Sequence, residues 1–317
     1  MKRLPLASLR HASTSGILFL VLAGLAQAQE KEVAKPAPEP RKFIRIERGS
    51  DDEPLALQTS IVHFTPEKAD QGNLVVDLIG AVHVGEKSYY EALNKQFEQY
   101  DVVLFEMVAP EGTQIPKGTK TSGHPVAMLQ NGLKGMLALE HQLEHVDYTK
   151  KNMVHADMSP DDFAKSMEER KESFATMFFR MMGQAMAQQS NPTAKKSRAS
   201  DFDLISAFFD RDRAGSLKRV MAEQFEGVEG AMQALEGPGG STIITERNKV
   251  ALKKLSEQIA AGKKRIAIFY GAGHLNDMEK RLHDEFHLKR GSEEWITAWK
   301  LGEPEAKPAA EIKKKAA

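Results

Sequence analysis

The chain has 317 residues, 41% hydrophobic and 28% charged, an ordinary globular composition long enough for one large domain or two small ones. Basic and acidic residues number 44 each, so no basic excess is available to neutralise a phosphate backbone, which argues against a dedicated nucleic-acid binder. Cysteine is absent, which excludes disulfides, thiolate metal sites and a cysteine nucleophile.

The N-terminus reads as an address. Lys2, Arg3 and Arg10 flank the start of a short apolar run, GILFLVLAGL at 16–25, and Ala26-Gln27-Ala28 closes it. This is the pattern of a secretory signal peptide over 1–28, with the mature chain starting at Gln29. The run is too short to span a bilayer comfortably, and no second run of about 18–20 apolar residues follows. Losing the leader removes three basic residues and no acid. The expected protein is exported, periplasmic or secreted, with no transmembrane segment after cleavage.

Residues 29–41, rich in Pro, Ala and charge, read as a flexible leader, and 303–317 as a disordered tail. Between them, 42–302 reads as a single α/β domain. Ala56–Phe64 and Leu74–Ile79 have strand character, Glu86–Gln99 repeats as a helix with Tyr90, Leu93 and Phe97 on one face, and Asp101–Glu106 is a buried-strand run. That is a β-α-β unit, which places its strands in parallel. A mostly helical insert follows over about 124–236. Within it, Asn152–Ala156 has the look of a short strand, Ser159-Pro160-Asp161-Asp162 is a helix start, and 188–200 is a polar break. Five methionines between Met167 and Met186 read as core packing at helical spacing, with a lid as the other use. A helix from Thr242 to Ala260, a strand at Arg265–Phe269, a helix from Leu275 and a strand near Trp295–Trp299 complete the order. The expected fold is α/β: a mostly parallel central sheet built from two strand-GxxH-helix units, carrying a helical insert.

Those two units are the chemical signal. LVVDLIGAVHVGEKSYYEAL at 74–93 and RIAIFYGAGHLNDMEKRL at 265–282 each run apolar strand, Gly-Ala-x-His, amphipathic helix. His83 and His274 therefore fall at the strand ends, where open α/β sheets bind ligands. Gly80 and Gly271 suit a sharp turn or a close backbone approach. Two imidazoles can ligate a divalent metal, and without cysteine the third ligand should be a carboxylate. Glu106 ends an otherwise apolar strand, a costly place for an acid unless it is paired or coordinates something. It is the candidate ligand or general base. Arg247, in Glu246-Arg247-Asn248 near a helix start, is a candidate for clamping a carboxylate or stabilising an oxyanion. Asp157, another strand-end acid, is a candidate for orienting a ligand from behind.

A competing motif is His141-Gln-Leu-Glu144-His145, the H-x-x-E-H pattern. Projected on a continuous helix, both histidines fall opposite the apolar side and face solvent. His63, His124, His155, His283 and His287 have no partner at informative spacing.

The paired G-x-x-H motifs, the strand-end Glu106 and Arg247-Asn248 together resemble the TraB/PrgY/GumN family of the Tiki superfamily, related to ChaN-like haem-binding and erythromycin-esterase-like proteins. The match runs over Leu74–Val108 and Thr242–Leu282. Ala81 stands where that family commonly has threonine. The resemblance implies metal-dependent peptide hydrolysis, with His83, His274 and Glu106 at the metal and Arg247 and Asn248 around it. Mn, Co and Zn are not distinguished. The rival it implies is a non-catalytic haem, iron or peptide binder of the same fold. The expected partner is a peptide or small-molecule substrate, and a homo-oligomer is compatible with the sequence.

Overall fold

A computed structural model of the chain describes residues 42–302, except 69–71, 114, 117, 119–136, 174–175, 177–200, 226–235 and 237–238. The expected signal peptide, leader and tail, the 188–200 break and most of the methionine-rich stretch lie outside the described residues.

A seven-stranded mixed sheet organises the fold. Its parallel half is β3 (Val75–Ala81), β8 (Arg265–Gly271), β5 (Val102–Phe105) and β7 (Met153–His155), side by side in that order. β5 and most of β8 are covered on both faces, which is why they read as continuous apolar runs. Val102 to Phe105 are all buried, as are Ile266 to Tyr270. β8 lies between β3 and β5, so the β-α-β unit spans a position that a distant segment fills.

The antiparallel half hangs on β2 (Pro54–Pro66). One edge of β2 pairs with β9 (Leu288–Lys300). Its other edge pairs first with β1 (Ile44–Arg48) and then, from Ile61, with β3. Neither β1 nor the full length of β9 is legible in the sequence as read above. β9 is an edge strand of largely exposed polar residues around Lys289–Glu294. Its pairing is fixed by backbone hydrogen bonds to β2 rather than by alternating apolar side chains.

Helix α1 (Lys87–Phe97) buries Tyr89, Tyr90, Leu93 and Phe97, the expected face with one tyrosine added. Among the described residues of the insert, helices α3 (Pro160–Glu169), α4 (Asp201–Phe208) and α5 (Arg213–Phe225) agree with its helical reading. Ser159 caps α3 by accepting from the Asp162 N–H at 3.1 Å, with proline at the first turn. Helices α6 (Arg247–Ala260) and α7 (Leu275–Phe286) flank β8 in sequence and pack against the sheet. No helix among the described residues is long and apolar enough to cross a membrane.

The H-x-x-E-H expectation is corrected here. Ala138 adopts a left-handed φ of 50°, which ends any helix running through it. Glu140–His141 instead forms a two-residue strand, β6, antiparallel to β4 (Val84–Gly85), and only Gln142–His145 is helical, as α2. A helical projection across 133–146 therefore fails. His141 is buried, 3% exposed, rather than facing solvent.

Candidate functional site

Three parallel strands end at one cavity. β3 leads to His83, β5 to Glu106 and β8 to His274, and all three residues line a space of about 430 Å³ together with Arg247. The remaining walls are mostly apolar, Val84, Phe225 and Trp299 among them. Trp299 is held by its indole N–H, which donates to the Val84 carbonyl at 2.7 Å.

The two G-x-x-H motifs diverge after their strands. In register, Gly80 pairs with Tyr270 and Ala81 with Gly271, so the copies are offset by one residue. After Gly271 the chain makes a single 3₁₀ turn, Ala272–His274, and runs into α7, leaving His274 buried at 4% exposure. After Ala81 it reaches β4 before α1 begins. His83 is thus exposed and precedes a short strand, not a helix, contrary to the expectation of matched positions. The cause is the pairing of Val84 with His141 and the Gln142 N–H, which donates to the His83 carbonyl at 3.0 Å.

Both motif glycines serve close approach rather than a turn. A Cβ on Gly271 would meet Glu106 Oε2 at 3.2 Å, and one on Gly80 would meet the Phe43 carbonyl at 3.3 Å. The Gly271 N–H uses that room to donate to Glu106 Oε2 at 2.6 Å.

Arg247 reaches the cavity because α6 is preceded by one wide π turn, Thr242–Glu246. Such insertions re-aim helical side chains and recur at functional sites. Glu246 points outward to Arg170 and Lys249, the ordinary fate of a polar cluster at a helix start. Arg247 and Asn248 do not share it and are buried. Arg247 donates from Nε to Asp157 Oδ1 at 2.9 Å and from Nη2 to Asp157 Oδ2 and Glu106 Oε1, both at 2.6 Å. Its Nη1 lies 3.5 Å from the Ile243 carbonyl and 3.4 Å from His274 Nε2. Every guanidinium nitrogen is engaged inside the protein. The expected clamp on substrate is in this structure a clamp on the chain's own carboxylates. Asp157 stands behind the site, as anticipated, but it orients Arg247.

Asn248 fixes the protonation of His274. Its Nδ2 donates to Asp277 Oδ2 at 2.9 Å and to the His274 carbonyl at 3.1 Å. Both neighbours are acceptors, so the amide nitrogen must face them and Oδ1 must face the ring. Oδ1 lies 2.7 Å from His274 Nδ1. Only a protonated Nδ1 makes that bond, which leaves a lone pair on Nε2 in the neutral ring. Asp277 was not foreseen. Its sequence signal is its place three residues after His274, in the first turn of α7, where an acid already has an ordinary explanation.

Electrostatics agree with this assignment. Burial pushes His274 down to about 4, and the pull of Glu106 in the other direction does not overcome it. Burial also opposes ionisation of Glu106, but neighbouring positive charge and the Gly271 N–H outweigh it and hold the carboxyl far below the usual range. Burial likewise works against charged Arg247, and Asp157 and Glu106 reverse that. Two carboxylates against one guanidinium and a neutral ring leave the floor with a net negative charge.

These shifts predict acid sensitivity. Unfolded His274 takes up a proton near pH 6.5, whereas the folded ring waits until about pH 4. Stability is therefore complete above pH 6.5 and falls as the pH drops toward 4, by about 3 kcal/mol at most from this group. Glu106 adds a loss of the same sign at lower pH. Urea unfolding from pH 7.5 to 4 should show the decline, and His274→Asn should flatten its upper part. An unchanged slope in that variant would count against a buried neutral ring.

The donor chemistry suits a divalent cation: a neutral imidazole whose unprotonated Nε2 faces Arg247 Nη1 at 3.4 Å, an ionised carboxylate 3.6 Å away and negative net charge. His83 does not close the set in this structure. Among the described residues, the histidine and acid group whose donor atoms all lie within 4.8 Å of one another is Glu140, Glu144 and His145, at α2 and its preceding strand. No protein-family model, curated protein or solved structure matches the chain.

Proposed function

We propose that this chain is an exported, metal-dependent hydrolase acting on peptides, of the type its motifs resemble. The observation that carries the reading is the Asp277–Asn248–His274 chain, which presents an unprotonated Nε2 beside an ionised Glu106 at the floor of a substrate-sized cavity. His274, Glu106 and His83 are the residues to hold a divalent ion, with His83 the mobile one. When bound, such an ion supplies Lewis acidity, polarising a carbonyl and lowering the pKa of water.

The protein's own parts have separate tasks. Asn248 holds the proton on Nδ1 and so keeps Nε2 available. Glu106 stays ionised as the carboxylate ligand, with Oε2 anchored on the Gly271 N–H and Oε1 on Arg247. Arg247 keeps Glu106 charged and in place, and Asp157 keeps Arg247 there. The apolar walls exclude water and strengthen each of these interactions. The negative floor supports an ion over a haem, whose propionates would find no unengaged guanidinium beside it.

The test is elemental analysis of the purified mature protein after dialysis with Mn, Co or Zn, alongside His83→Ala and peptide hydrolysis with and without chelator. The expected result is one ion per chain, a much weaker ion in His83→Ala and activity abolished by chelation. Protein that takes up no ion, or an ion lost on replacing His145 but not His83, would overturn the assignment.

A further inference from the structure

We infer that the cavity selects a large, uncharged apolar side chain next to an internal peptide bond, and that the protein does not act by anchoring a terminal carboxylate. This rests on the hydrolase reading for the cleavage and stands without it for the binding.

The walls carry the first half. Ile44, Val84, Leu137, Met221, Phe225 and Trp299 line one cavity with the polar floor at its base. Ile44, Val84, Leu137 and Trp299 are buried, whereas Met221 and Phe225, on α5, are only half-buried. Phe225 and Trp299 meet edge to face at 5.3 Å, an arrangement suited to a further aromatic or branched aliphatic group. Trp299 has spent its N–H on Val84, so it offers a ring face rather than a donor. A charged side chain placed here would lose its hydration without gaining a partner from these walls.

The saturation of Arg247 carries the second half. Proteins that hold a substrate carboxylate use a free guanidinium fork for it. Here Asp157 and Glu106 occupy that fork. Before any ion binds, the negative charge left on the floor also repels a further carboxylate.

The chain carries its own reporter. It has two tryptophans, and Trp295 lies outside the cavity, stacked under Arg45 at 4.1 Å. Trp295→Phe leaves Trp299 as the sole fluorescent tryptophan. That variant is titrated, with and without Zn, against the N-acetyl amides of Phe, Leu, Ala, Asp and Lys. The Phe and Leu amides should shift Trp299 emission and bind about tenfold or more tighter than the Ala amide, from the burial of the larger group. The Asp and Lys amides should bind no better than Ala. Phe225→Glu should move the preference toward the Lys amide. Equal affinity across the series, or a preference for Asp, would overturn the inference.

A mixed peptide library is then digested with the unmodified protein. Cleavage inside chains beside Phe, Leu or Met is expected. Release of C-terminal residues alone would overturn the second half. Selective amide binding with no cleavage would sink the hydrolase reading and leave the pocket assignment standing. Cleavage without side-chain preference would do the reverse.

Discussion

Replacing Arg247 by methionine is expected to destabilise the protein by about 3–5 kcal/mol, the largest loss from any single change in the site. Methionine matches the length of the arginine stem, so the lost packing is modest. What remains is the charge. Asp157 is fully buried and Glu106 nearly so, with side-chain exposures of 0% and 12%, and Arg247 is the guanidinium that binds both. Without it, two carboxylates face each other in an apolar surround and must take up protons to persist. The deficit should therefore shrink as the pH falls, opposite in sign to the acid sensitivity of the unmodified chain. Arg247→Met combined with Asp157→Asn should recover part of the loss, because one of the stranded charges is gone. Urea denaturation at pH 7.5 and 5 measures all three. A loss below about 1 kcal/mol would make the fork no more than an exposed ion pair.

His274→Ala should lower kcat/KM by about 10³-fold or more, since it removes the lone pair on which ion binding and water activation depend. Asn248→Leu separates the ring from its orientation. Leucine keeps the shape of asparagine and offers no acceptor, so the Nδ1 proton loses its partner and the ring can carry its proton on Nε2 instead. An effect of about 10–100-fold on ion affinity and turnover follows, the usual weight of a partner behind a ligand. Asp277→Ala should do less, because the amide of Asn248 keeps one of its two acceptors, the His274 carbonyl. The ¹⁵N spectrum of the ring reads the difference directly. The unmodified protein should show a protonated Nδ1 and a bare Nε2, and Asn248→Leu a mixture. If the leucine variant keeps both the original spectrum and full turnover, the relay does not set the tautomer.

Much of this was readable beforehand, for a physical reason. β5 and most of β8 are sheathed on both faces, so each appears as an apolar run, and the polar residue that ends such a run stands out. Glu106 ends such a run, Asp157 follows the short β7, and His274 stands out through the repeated G-x-x-H. β1 and the first half of β9 do not show in this way, because edge strands owe their position to backbone pairing and leave little periodic trace; the Trp295–Trp299 end of β9 does show. Arg247 and Asn248 were flagged, but a polar cluster at a helix start does not say which members turn inward. The π turn decides that, and no residue type announces it. Asp277 was invisible because its position has a routine explanation. The likeness between His83 and His274 was overread: two similar strings of residues fold differently once Val84 finds a partner in His141, and one left-handed residue, Ala138, undid the helical projection of the H-x-x-E-H segment.

The short ribbon of β4 and β6 gives the two histidines different lifetimes. His274 is anchored through Asn248 to α6 and through its backbone to β8, the centre of the sheet. It can leave only when the core does. His83 adjoins a pairing of two residues on each strand, tied further by the Gln142 N–H on its own carbonyl and by Trp299 on the Val84 carbonyl, beside a buried Gln142 Oε1 with no hydrogen-bond partner. A ribbon this short, with one orphaned acceptor, opens at lower cost than the centre of the sheet. Amide hydrogens of 82–85 and 140–142 should exchange by local fluctuation, and those of 266–271 only through global unfolding. The cavity would then have a fixed wall and a hinged one, and ligand capture would be governed by how often the hinged wall swings shut.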